Sequence, residues 1–308
     1  MEIGRRCEAS PPQAANMIDM RGNTSAACNE LLIIDPKARY DAFLEALRSA
    51  RRSIELSVFR CDHPAVVTAL VDAERRGVRV RALLTNRARG AKKQLADLYR
   101  TLQHHGIQAV RYGGPYEKYH PKYAIVDGKL GVIGSMNLTR DHFCDTDDFL
   151  VMSLDTDLVS AFHALFETDW HGAAAPTPAC SPRLVVSPDN ARKRLSTLIR
   201  QAERSIAIVD HKLEDPHMLS LLNGARRRGV NVELFDDRVR LGLRAHGKAV
   251  VIDELLAVVG SLALTADTLD FRRDLAVVIE APSLMKQLLD HLDAIRRWEF
   301  VAVERAVA

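Results

Sequence analysis

The chain has 308 residues, 47% hydrophobic and 27% charged, with a formal net charge of +3. Such a chain buries a full core without disulfide staples and reads as an ordinary globular protein of one or two domains. The mild basic bias fits an anionic substrate but does not separate nucleic acid from lipid headgroups. Five cysteines (Cys7, Cys28, Cys61, Cys144 and Cys180) are scattered, odd in number and form no C-x-x-C pair. They read as free thiols in a reducing compartment, against a disulfide framework or a zinc site. No run approaches the roughly 18 apolar residues that span a bilayer. Met1 to Asn29 is polar, with no apolar core of a secretory signal, and reads as a poorly ordered lead-in. The expected location is cytoplasmic, possible contact with a membrane surface included.

From residue 30 the chain alternates strand and helix patterns. Leu31–Ile34 is a short strand, and Pro36–Arg52 an amphipathic helix with Phe43, Leu44 and Leu47 on its apolar face. Ser53–Phe59 follows as a strand, then Pro64–Arg76 as a helix with proline in its first turn and Gly77 at its end. Val78–Leu84 is a strand, and Thr85 to Tyr112 holds a helix and the strand Ile107–Arg111. Two apolar runs, Tyr123–Val126 and Leu130–Ile133, flank Asp127-Gly128, a hairpin signal. Phe149–Met152 and the helix Thr156–Trp170 close this half. Gly172 to Pro182 is rich in Ala, Pro and Ser and reads as a linker. The second half runs Leu184–Val186, Asn190–Ala202, Ser205–Val209, Asp215–Arg228, Val230–Phe235, a hairpin around Asp253, Leu275–Ile279 and Pro282–Trp298.

The two halves repeat one another. Pro36 and Pro188, Ser53 and Ser205, and Gly77 and Gly229 are all 152 apart. The expected fold is α/β: two duplicated lobes, each a mixed β-sheet flanked by helices, related by a pseudo-twofold axis. The expected boundaries are 1–29 for the lead-in, 30–171 for the first lobe, 172–182 for the linker and 183–308 for the second lobe. Thr85 to Tyr112 has no counterpart between Phe235 and Ala245.

Each half carries His-x-Lys-x4-Asp, as His120, Lys122 and Asp127, and as His246, Lys248 and Asp253. Gly134-Ser135 and Gly260-Ser261 follow 14 residues after each histidine, and Asp148 and Asp274 follow at 28. Read as strand positions two apart, each histidine and its lysine share one face. An imidazole beside an ammonium is a poor core pair but a good phosphate site. One imidazole can attack phosphorus while the other protonates the leaving oxygen. Lys122 and Lys248 would neutralise the phosphoryl oxygens in place of a metal, so no metal or cofactor is expected. Ser135, Asn137 and Ser261 are candidate hydrogen-bond donors to substrate, and Gly134 and Gly260 would let backbone approach it. Asp148 and Asp274 are candidates to orient the imidazoles. Asp127 and Asp253, at the hairpin turns, read as structural.

This pattern resembles the phospholipase D superfamily, whose His-x-Lys-x4-Asp-x6-Gly-Ser-x-Asn motif the first half matches almost throughout. The resemblance spans roughly Leu31 to Trp298. It implies two phospholipase D-like lobes meeting at one site and a covalent phosphohistidine intermediate formed without a metal. It also implies His120 as nucleophile and His246 as general acid. Two kinds of departure from the family stand out: Ala263 replaces the second asparagine, and Asp148 and Asp274 stand where glutamate is usual. The expected activity is phosphodiesterase or phosphatidyltransferase chemistry, with a phospholipid at a membrane surface favoured as substrate. A nuclease acting on DNA or RNA and a weakened phosphate-binding homologue are the alternatives. With both motifs in one chain, a monomer suffices. Among other polar clusters, Asp145 to Asp148 reads as a solvated turn with one useful carboxylate, lacking the spacing of a calcium loop. His104-His105 reads as helix surface, and His211-Lys212 as a weaker candidate for the cleft wall.

Overall fold

The computed structural model describes residues 29–173 and 181–307. The expected lead-in, apart from Asn29, and most of the expected linker lie outside the described residues. In chain order the first half comprises β1 (Glu30–Ile33), α1 (Pro36–Ser49), β2 (Ser53–Val58), α2 (Pro64–Arg75), β3 (Arg79–Leu84), α3 (Lys92–His104), β4 (Gln108–Arg111) and β5 (Lys118–Tyr119). It continues with β6 (Tyr123–Val126), β7 (Leu130–Gly134), α4 (Arg140–Cys144), β8 (Thr146–Asp147), β9 (Leu150–Ser153) and α5 (Thr156–Trp170). The second half comprises β10 (Leu184–Ser187), α6 (Ala191–Gln201), β11 (Ser205–Val209), α7 (Pro216–Arg227), β12 (Asn231–Phe235), β13 (Val239–Arg240) and β14 (Leu243–Ala245). It closes with β15 (Lys248–Ile252), β16 (Leu256–Gly260), α8 (Ala266–Asp270), β17 (Arg272–Ile279) and α9 (Pro282–Val307).

Local chemistry sets the helix starts. The Asp35 carboxylate accepts the Ala38 N–H at 2.8 Å with Pro36 in the first turn of α1, and Asp215 accepts the Met218 N–H at 2.9 Å ahead of α7. These side chains satisfy backbone donors that a helix N-terminus leaves unpaired, and proline there loses nothing. In α2 the ring of His63 accepts the Ala65 N–H at 3.2 Å instead.

The strands form two matching sheets. One runs β1-β9-β7-β6-β2-β3-β4 and the other β10-β17-β16-β15-β11-β12. Position by position these are the same sheet, except that β4 has no counterpart in the second, in keeping with the unmatched segment Thr85 to Tyr112. The seventh strand of the second sheet is β5, contributed by the first half and parallel to β17. Both sheets are mixed: β2 and β3 pair in parallel, and so do β11 and β12, while the β6–β7 and β15–β16 hairpins pair antiparallel.

Three clusters of buried side chains layer the molecule. One lies between the first sheet and α1 and α2, and another between the second sheet and α6 and α7. The third joins the inner faces of both sheets through α5 and α9, with Phe162, Leu165 and Phe166 meeting Leu288, Leu292 and Ile295 in one apolar body. That shared layer fixes the two sheets against each other, because separating them would expose its whole apolar area.

One sequence expectation fails. Cys144 is disulfide-bonded, while Cys61 is a free, buried thiol. Scattered spacing along a chain does not exclude pairing in space. The thiol-based argument for a reducing compartment therefore falls away. Among the described residues, no helix is long and apolar enough to cross a membrane.

Candidate active site

The site lies where the ends of the two hairpins meet, and short strands from each half cross to the other. β5 pairs with β17, and β8 pairs with β14. His120 follows β5 and donates its backbone N–H to the Arg273 carbonyl at 2.8 Å. Gly247, just after His246, donates to the Asp147 carbonyl at 2.7 Å. Each histidine is thus pinned to the other half of the molecule. Neither sits in a strand as the alternation predicted. His120 and Lys122 precede β6 and His246 precedes β15, because the N–H groups of both histidines are taken up by the opposite half and Pro121 has no N–H to give.

The carboxylates cross over as well. His120 Nδ1 lies 2.7 Å from Asp274 Oδ2, and His246 Nδ1 lies 2.8 Å from Asp148 Oδ1. Spacing alone places each aspartate in the same half as a histidine, 28 residues on; the fold gives it to the other one. Both carboxylates are fully buried, while the histidine side chains keep 16% and 19% exposure. With Nδ1–H donated to a carboxylate, each Nε2 retains the lone pair. Lys122 Nζ lies 3.0 Å from His120 Nδ1 and 3.3 Å from Nε2, and donates to the His120 carbonyl at 2.7 Å. Lys248 makes the equivalent bond to the His246 carbonyl.

Burial dominates the electrostatics. Desolvation, reinforced by the neighbouring lysine and opposed by the aspartate, pushes both His120 and His246 down to about 3. Desolvation also lowers Lys122 to about 7 and depresses Lys248. The carboxyls of Asp148 and Asp274 are held below their usual range by the histidine each touches, against the effect of burial. Burial therefore leaves the site short of positive charge for its composition, and a bound anion would favour the protonated imidazoles and ammonium groups.

Several predicted site residues play a different part. The Ser135 hydroxyl donates to Asp148 and that of Ser261 to Asp274, and both serines are buried. They hold the carboxylates and are not free to meet substrate. Asn137 is buried too, its side-chain nitrogen 3.0 Å from His142 Nε2. Gly134 and Gly260 serve the sheet: a Cβ on Gly260 would lie 2.6 Å from the Ala276 Cα, and one on Gly134 would lie 3.0 Å from the Met136 sulfur. Asp147 and Asp148 are buried, Asp147 on β8, so the solvated-turn reading of Asp145 to Asp148 is overturned there. Asp147 pairs with Arg240 of the other half at 2.7 Å, a tie that a solvated turn would not make. Asp127 accepts from the N–H groups of Arg51, Arg52 and Ser53, and Asp253 from those of Glu203, Arg204 and Ser205. Both adopt a positive φ at their turns, 55° and 54°.

Sequence reasoning missed three neighbours. The Phe59 ring lies 4.4 Å from that of His120, and the His142 ring meets His246 edge-on at 4.7 Å. Arg39, fully buried on α1, donates to the carbonyls of Thr146 and Asp148 and so fixes the segment after β8 that carries the carboxylate. Its signal was present: Arg39 stands one turn before Phe43 on the apolar face of α1. His142 had none, because the matching position in the other half is Thr268.

Residues 43–170 match the family described as cardiolipin synthase, PLD-like domain. The mitochondrial cardiolipin hydrolase of Xenopus laevis is 33% identical over 131 residues, covering 42% of this chain and 60% of that protein. The chain spans 30–60% of the length of the curated relatives it matches. Among solved structures, a phosphatidylserine synthase of Haemophilus influenzae Rd KW20 superposes with a TM-score of 0.71 at 10% identity, over 87% of this chain and 86% of that one. A polyphosphate kinase from Porphyromonas gingivalis gives 0.70 at 20% identity, over 85% of this chain and 46% of that one. At such identities these two likenesses speak for the fold alone. The family match over residues 43–170, the curated relative and the duplicated motif together make the chain similar to the phospholipase D superfamily.

Proposed function

We propose that the chain is a phospholipase D-type phosphodiesterase that hydrolyses or transfers the phosphatidyl group of a phospholipid. The observation that carries this reading is the pair of partly exposed histidines, each held at Nδ1 by a buried aspartate from the opposite half. The choice of a lipid follows the curated relatives, which are named for cardiolipin hydrolysis.

In this mechanism the Nε2 lone pair of His120 attacks phosphorus. The bond to the leaving oxygen breaks, and that oxygen takes a proton from His246 Nε2. A phosphohistidine remains. His246, now neutral, takes a proton from water or an acceptor alcohol, whose oxygen attacks phosphorus and breaks the P–N bond. Lys122 and Lys248 neutralise the non-bridging oxygens, the part a metal plays elsewhere. His246 holds little proton on its own, and the negative charge of a bound phosphodiester raises its affinity for one.

The test is an assay of the purified chain, with chelator present, on three substrates. These are phospholipid vesicles, single- and double-stranded nucleic acid, and bis(p-nitrophenyl) phosphate. Headgroup release with loss on the order of 10³-fold in His120→Ala is the expected result. Strand cleavage without headgroup release would replace the lipid reading by a nuclease. Undiminished turnover in His120→Ala would remove the nucleophile.

A further inference from the structure

Three cations crowd one aromatic ring beside the proposed nucleophile. Arg60 Cζ, Lys118 Nζ and Lys122 Nζ lie 5.4, 5.1 and 5.5 Å from the centroid of Phe59, whose ring also packs on His120. Lys122 belongs to the His-x-Lys motif. Arg60 and Lys118 do not, and the mechanism above gives them no task. A fourth cation joins them, since Lys118 and Arg272 are in-register partners in the parallel pairing of β5 with β17.

Two like charges placed side by side across strands are destabilising, and half-burial makes them more so. Among the described residues the Lys118 ammonium has no hydrogen-bond or ion-pair partner, and Asp274, the carboxylate that acts on it, does so from beyond ion-pair distance and is already held by His120. Arg272 touches Asp267 and Arg60 touches the Arg89 carbonyl, yet the buried Nε of each guanidinium has no hydrogen-bond partner. Burial and then Arg272 push the Lys118 ammonium down to about 8, the direction an anion would reverse. Such donors are available to a ligand, and here two of them flank an ammonium that is itself without a partner.

We propose that Arg60, Lys118 and Arg272 form a second anion subsite at the His120 side of the cleft, built to hold a second phosphate of the substrate while the first is cleaved. This inference rests on the phosphodiesterase reading and sharpens it. The preferred substrate is then a lipid that carries two phosphate groups, not one. A strand of nucleic acid offers the same chemistry, successive phosphates on one molecule, and is distinguished below.

The experiment compares kcat/KM of the full chain on phosphatidylcholine vesicles doped with phosphatidylglycerol, which has one phosphate, or with cardiolipin, which has two. A parallel arm compares a dinucleoside monophosphate with a trinucleoside diphosphate. The expected two-phosphate preference is about tenfold or more, the scale of a charge-assisted hydrogen bond, and it falls to within about threefold in Lys118→Gln and in Arg272→Gln. Vesicle co-sedimentation in the His120→Ala background measures the same preference without turnover, and melting curves show that each variant folds. A preference in the nucleotide arm alone keeps the subsite and overturns the lipid assignment. A wild-type ratio near one, or equal losses on both substrates in both variants, overturns the subsite while leaving the phosphodiesterase standing. Absence of turnover on every substrate, with the co-sedimentation preference intact, would overturn the catalytic reading and keep the subsite.

Discussion

At the scale of single residues, the site is governed by what burial does to charge. Lys122 and the two histidines are placed where desolvation outweighs every neighbouring carboxylate, so the resting site favours neutral bases. The sign of the consequence is definite. His120, lowered to about 3, is already neutral across the usual assay range and contributes no rise between pH 5 and 8. Lys122, lowered to about 7, loses its proton as pH rises through that value, and with it the charge that stabilises the phosphoryl oxygens. In the free enzyme kcat/KM should therefore fall on the alkaline side from about 7, whereas kcat, which reports the phosphate-bound site, should hold to higher pH. A pH–rate profile on bis(p-nitrophenyl) phosphate checks this. A kcat/KM that instead climbs through the ordinary histidine range would mean that His120 is not desolvated as described.

At the scale of elements, two kinds of local device position these residues. One is the aspartate at each hairpin turn, which accepts three successive N–H groups from the loop entering the neighbouring strand and so locks β6–β7 to β2 and β15–β16 to β11. Asp127→Ala should cost about 1–3 kcal/mol of stability in denaturant unfolding, since it orphans those donors. Turnover at 25 °C should meanwhile stay within severalfold; a collapse of kcat with unchanged stability would assign Asp127 to the chemistry. The other device is the set of two- and three-residue strands β5, β8, β13 and β14. Long elements were legible because periodicity, Pro at helix starts and Gly at helix ends all pointed one way: α5 and β11 match their expected bounds, and most others fall within a few residues. The short strands carry no period of their own. Their pairing is decided by the opposite half, which is also why Asp147 and Asp148 read as a solvated turn and why Ser135 and Ser261 read as free donors.

At the scale of the whole molecule, duplication explains both the shared core and the crossed carboxylates. Two copies of one sheet, joined back to back through α5 and α9, bring equivalent hairpin ends together, and each copy completes the other's histidine. The motif residues and their repetition were readable from spacing; the exchange of aspartates was not, because spacing is blind to which copy a side chain reaches. The exchange yields a direct test using bis(p-nitrophenyl) phosphate, whose leaving group departs without an acid. In His246→Ala the first step should run and the second stall, leaving a nitrophenylphosphoryl adduct that intact-protein and peptide mass spectrometry place on His120. Asp148→Asn, which unsettles His246 from across the lobes, should trap the same adduct, and Asp274→Asn, which unsettles His120, should not. An adduct on His246, or trapping by Asp274→Asn in place of Asp148→Asn, would contradict the crossed site.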